Sequence, residues 1–157
     1  MNVQGALVSG FGATVILTSI GAAAQGLGFT RMNLPFILGT MVTADRDRAP
    51  LYGTLVHFVN GWIFAFIYSA LFDQLHAAHG WIGGAFGLVH ALFVLLVGLP
   101  VLPDLYPRMA SERHGPTPTR LLQPPGFLGL HYGMRTPLVI VVAHICYGVV
   151  LGALYQL

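Results

Sequence analysis

The chain contains no lysine, a single cysteine and only five acidic residues among 157. Charged residues make up 8% of it and hydrophobic ones 55%, and the mean hydropathy is positive. So few charges exclude an ordinary water-facing surface and leave a chain whose main solvent is lipid. The lone Cys146 has no partner for an internal disulfide and reads as a packed side chain within a span. Serine, histidine and aspartate occur without a nucleophile elbow or triad context, so an enzymatic reading has little footing. No basic patch is interleaved with exposed aromatics, which removes the support for a nucleic-acid partner.

What is present is a set of long uncharged runs. They cover about 5–29, 51–72, 81–102 and 137–157, each near the ~20 residues that carry a helix across ~30 Å of hydrocarbon. The first run is preceded by no basic residue and exceeds the ~7–15 residue core of a secretory signal, so it reads as a span. The expected fold is an all-α membrane protein of four transmembrane helices, forming one domain over residues 1–157, with a proline-rich loop at 103–136. Arginine sets the orientation. Arg31, Arg46 and Arg48 lie between the first two runs, and Arg108, Arg113, Arg120 and Arg135 between the last two, so all seven fall on one side. The positive-inside rule then puts both loops in the cytoplasm and both termini outside.

An internal duplication is also legible. Arg48, Pro50, Leu51, His57, Gly61 and Tyr68 recur 87 residues later as Arg135, Pro137, Leu138, His144, Gly148 and Tyr155, with every spacing unchanged. Both copies enter the membrane from the same face. Two tandem helical hairpins related by an axis along the membrane normal are therefore expected, a parallel repeat. Small residues recur at every fourth position, as Gly10, Thr14, Thr18, Ala22 and Gly26 in the first run and Gly83, Gly87 and Ala91 in the third. Gly61 with Ala65 and Gly148 with Gly152 extend the pattern, and such small-xxx-small stripes let helix backbones approach closely in lipid. The segment Leu34 to Val42 is too short to span and reads as an interfacial or re-entrant half helix capped by the Asp45–Arg48 cluster. The proline-rich loop reads as an ordered excursion on the bundle's cytoplasmic face or as a partner-binding segment.

The Pro107-Arg108-Met109-Ala110 turn, Pro124-Pro125-Gly126 ahead of Tyr132-Gly133, and His144-x3-Gly148 in the last run resemble a group of small four-pass bacterial membrane proteins of unassigned function. The resemblance covers most of the chain. It implies a bacterial inner-membrane location and transfers no functional residue.

Histidine carries what chemistry there is. His57 and His144 sit seven residues inside the matched prolines, about 10 Å into the bilayer at 1.5 Å per residue, and His90 lies near the middle of the third run. Intramembrane ionisable residues need partners. In one reading His57 and His144 hydrogen-bond to each other, to Asn60 or Tyr147, or to backbone carbonyls, as polar glue in a non-enzymatic accessory or structural component with no cofactor. In a second they are axial ligands of haem b in a redox protein. In a third they form a proton- or solute-carrier site with Arg48 and Arg135 at its mouth, although no carboxylate lies within the spans to couple it. Asp73, His76 and His79 are separately spaced to share one face of a continued helix and bind zinc or copper. The expected partners are the lipid bilayer and a second copy or other membrane subunits.

Overall fold

The computed structural model describes residues 1–111 and 115–155. Arg113 and the last two residues of the expected fourth span lie outside the described residues. The described chain is built from α1 (Val3–Gly26), α2 (Leu34–Val42), α3 (Ala49–Leu75), α4 (Gly80–Phe93), α5 (Leu99–Leu105) and α6 (Thr136–Leu154). A π-helical turn, Val94–Gly98, joins α4 to α5 without a break, so four helices are long and apolar enough to cross a membrane: Val3–Gly26, Ala49–Leu75, Gly80–Leu105 and Thr136–Leu154.

Local chemistry sets these limits. The Asn2 side chain accepts the Gly5 N–H and starts α1, which stops before the expected Phe29 because Gly28 turns to φ 74°. Asn33 does the same for α2 by accepting the Phe36 N–H, with Pro35 in the first turn. Arg48 and Arg135 occupy the position just before α3 and α6, each followed by a proline in the first turn. α3 runs to Leu75, past the expected Phe72, and ends where His76 adopts a left-handed φ of 51°. The π turn sits where Pro100 offers no N–H, and the ladder shifts so that Leu99 N–H meets Val94 O.

α1 packs against both α3 and α6, and α4 lies along α6. Along α4 and α6 the backbones meet so closely that a β-carbon at Gly83 or Gly148 would strike the other's carbonyl, and one at Gly87 would strike that of His144. α3 and α4, though joined by a short connection, make little backbone contact. Aromatic side chains bridge them, with Tyr68 edge-on to Phe86 at 5.7 Å and Phe64 stacked on His90 at 3.8 Å. The central core is Leu17, Tyr68, Phe72, Tyr147, Leu151 and Tyr155 among small alanines.

α2 runs hard against the start of α3, where Gly39 faces the Ala49 carbonyl and Gly53 the Pro35 carbonyl with no room for a side chain. The Asp45–Arg48 segment does not cap α2, whose end is closed by Thr43 N–H on Gly39 O. It turns the chain into α3 instead: the Asp45 carboxylate accepts the Asp47 and Arg48 N–H groups, and its carbonyl accepts that of Ala49. Described residues of the proline-rich segment cover α2. Tyr106, Met109 and Tyr132 are buried with Ile37, and Tyr106 bonds to Thr40 Oγ1 and Ile37 O. Arg31 reaches the His131 carbonyl and Arg108 that of Thr40 at 2.6 Å, so the two arginine-bearing segments share one end of the bundle. At the opposite end Asp73 holds the Met1 amino group at 3.0 Å and the Tyr155 hydroxyl at 3.0 Å.

Candidate functional site

Toward the arginine-bearing end, α1 and α3 diverge. They touch where Gly10 meets Ala65 and Gly61 meets Thr14, but nothing lies within 4 Å of a β-carbon built on Gly21. The wedge between them, closed behind by α6 and below by α2, is a cavity of about 320 Å³. Its walls are mainly apolar, with Leu17, Ala22, Ile140 and Ala143 among them, and none of its lining residues is charged. His57 and His144 both line it. Ala22, Gln25 and Pro50, all exposed, form its rim.

The polar groups around it are nearly all engaged. Thr18 donates to Thr14 O at 2.7 Å and Thr54 to Pro50 O at 2.8 Å, while Thr30 and Thr136 bond to each other at 2.7 Å. His144 Nδ1 lies 2.8 Å from Ile140 O. Because a carbonyl only accepts, that nitrogen carries the hydrogen and Nε2 keeps its lone pair. Among the buried ones, His57 Nε2 has no hydrogen-bond partner.

Behind His144 the histidines continue inward. The His90 ring meets the His144 ring edge-on at 4.7 Å, and His90 Nδ1 lies 3.4 Å from the Tyr68 hydroxyl. Tyr147 donates to Gly61 O at 2.6 Å, fixing α6 to α3 beside this row. Beyond Tyr68 the row ends in stacked rings, Phe86 on Phe72 at 5.6 Å and Phe72 on Tyr155 at 5.9 Å. A row of imidazole and phenol rings therefore runs from the cavity wall to mid-bundle and gives way to stacked aromatic rings toward the opposite end.

Of the residues singled out from the sequence, the fold brings His57, His90, His144 and Tyr147 together around this space. Asn60 is exposed and does not line the cavity, so it stands apart from them. Arg48 and Arg135 are near neighbours of the rim residues but do not line the cavity. Arg48 pairs with Asp45 at 3.2 Å, and Arg135 lies over the Phe29 ring at 5.0 Å. Asp73, His76 and His79 do not share a helix face, since α3 stops at His76 and His79 precedes α4. Among the described residues no three histidine, cysteine or acidic side chains are grouped as metal ligands.

Two features escaped the sequence. The small stripe of α1 does two jobs, with Gly10 and Thr14 at a helix contact and Thr18 and Ala22 on the cavity wall. Tyr68 stands in the histidine row, and its only signal was its place in the repeat. No known protein family matches the chain, and neither a curated protein nor a solved structure is significantly similar to it.

Proposed function

We propose that this chain is a non-enzymatic integral membrane protein of the bacterial inner membrane, with both termini outside, that holds a small apolar molecule in its intramembrane cavity. The single observation that carries this reading is an uncharged, mainly apolar cavity of about 320 Å³ that opens between two helices long enough to span the membrane. An empty apolar cavity of about 150 Å³ already accepts benzene. The tandem-hairpin duplication belongs to the same reading. It is supported by the paired helix starts at Arg48 and Arg135, by the close helix contacts at Gly61 and Gly148, and by the meeting of His57 and His144 at one cavity.

The test uses naphthalene as probe on the detergent-purified protein. Naphthalene is expected to raise the thermal midpoint in a concentration-dependent way. Gly21→Phe, which fills open space at the cavity wall, is expected to remove that rise. A native protein indifferent to naphthalene would overturn the proposal. The haem b and carrier readings draw on the same two imidazoles and have their own signatures, a Soret band in the purified protein and solute flux into liposomes.

A further inference from the structure

We infer that the cavity holds an acyl chain of a membrane phospholipid whose anionic phosphate is met at the cavity's mouth by Gln25, Arg31, Arg135 and the N-terminus of α2. The inference rests on the cavity being a binding site and adds the chemical class of its occupant.

The two ends of the cavity differ in chemistry. Toward mid-bundle, Leu17, Ile140 and Ala143 offer apolar surface. Toward the arginine-bearing end the lining includes Gln25, Thr30 and Asn33, and hydrogen-bond donors are left over there. Gln25 is exposed at the rim, and among the described residues its amide makes no hydrogen bond. Asn33 Oδ1 is taken by the Phe36 N–H, which leaves the amide nitrogen to donate. The carbonyls that end α1 are closed, since Ala23, Ala24 and Gln25 accept the N–H groups of Leu27, Phe29 and Gly28. α2, nine residues long, begins at this same end with Leu34 and Pro35 in the lining, so the positive end of its dipole lies at the cavity.

Two guanidinium groups belong to the same end. Arg31 stands between the lining residues Thr30 and Met32, and Arg135 directly precedes the lining residue Thr136. Their segments are fastened side by side. The Thr30 and Thr136 hydroxyls bond at 2.7 Å, the Arg31 N–H donates to Tyr132 O at 2.7 Å, and the Arg135 side chain lies over the Phe29 ring at 5.0 Å. Both arginines are exposed, and among the described residues neither pairs with a carboxylate, whereas Arg48 is held by Asp45. Arg31 gives one donor to His131 O and keeps the others. Surplus donors and positive charge at one end of an uncharged apolar cavity call for a molecule with an apolar body and an anionic head. The cavity opens between α1 and α3, both long enough to span a membrane, so its occupant arrives from within the bilayer. Arginine at a span's end sits at the depth of the lipid phosphates. A phospholipid of that leaflet supplies the chain, the charge and the lateral approach together.

The experiment uses the delipidated, detergent-purified full chain and native mass spectrometry, with dioleoylphosphatidylglycerol, dioleoylglycerol and inorganic phosphate as probes. Phosphatidylglycerol is expected to bind roughly five- to thirtyfold more tightly than dioleoylglycerol, the yield of one or two arginines at a lipid phosphate, and inorganic phosphate far more weakly than either. Arg31→Gln combined with Arg135→Gln is expected to bring phosphatidylglycerol down to the level of dioleoylglycerol, while Gly21→Phe weakens both lipids. The thermal rise with naphthalene is expected to persist in the arginine variants and reports that their cavity is intact. Should the double variant fail to fold, Arg135→Gln alone, at an exposed position, decides by losing part of the preference. Equal binding of the two lipids, a preference untouched by Gly21→Phe or by Arg135→Gln, or phosphate binding as tight as that of the lipid overturns the phospholipid assignment and leaves the cavity as a binding site. A native chain that holds neither naphthalene nor either lipid defeats the underlying reading instead.

Discussion

At the scale of single residues, burial decides which polar groups matter. Tyr132 lies outside the spans, donates to Gln123 O at 2.6 Å, and has its hydroxyl pushed up to about 12 by burial and then by the neighbouring Tyr106. A folded-state value above the ordinary ~10 favours the neutral form. Its contribution to stability is therefore complete below pH ~10 and lost as pH rises through about 12. An ultraviolet titration of the purified protein should show late-ionising tyrosine, and Tyr132→Phe should remove part of it. An unchanged alkaline profile in that variant would disprove the assignment. Sequence reads His57 and His144 as a matched pair by counting residues along each helix, and both line the cavity. Their neighbours were not legible. That His90 joins the row and Asn60 leaves it depends on how α3 and α4 are rotated about their own axes, which neither spacing nor composition encodes.

Among elements, glycine has two opposite meanings here. At Gly148 a β-carbon meets the backbone of α4, whereas at Gly21 it meets nothing. Gly148→Leu should force α4 from α6 and destabilise the bundle by at least ~1–3 kcal/mol, read as a fall in the denaturant midpoint of purified protein. Gly21→Leu should leave that midpoint within about 0.5 kcal/mol of the native one, the range of a substitution that strikes nothing. Equal losses in the two variants would contradict the wedge between α1 and α3. Sequence alone reads Gly148, and the stripe residue Ala22 next to Gly21, as helix contacts, because a small side chain signals closeness or emptiness with the same letter. Helix starts were more legible, since Asn33, Pro35, Pro50 and Pro137 act locally. The end of α3 at His76 was not, because a left-handed histidine breaks no rule that residue order states.

For the whole molecule, one end gathers every arginine among the described residues, and the other gathers Asp73, Tyr155 and Met1. If the arginine end faces the cytoplasm, a cysteine at Ala78 in a Cys146→Ser background should label with an impermeant reagent from outside intact cells. One at the exposed Thr119 should label only after lysis. The reverse pattern would invert the orientation. Four apolar helices were legible from run length and charge alone, because the bilayer sets both. The lateral order of those helices was hidden, as was the cavity it creates, since both arise from which helix faces meet.

The stack of Phe86, Phe72 and Tyr155 sets the two ends of the molecule apart. If the cavity takes a guest past Ala22 and Pro50, as proposed, those three rings stand between it and the opposite end of the bundle. Such a guest would exchange with the leaflet at the cavity's rim, and crossing to the other leaflet would require the rings to part.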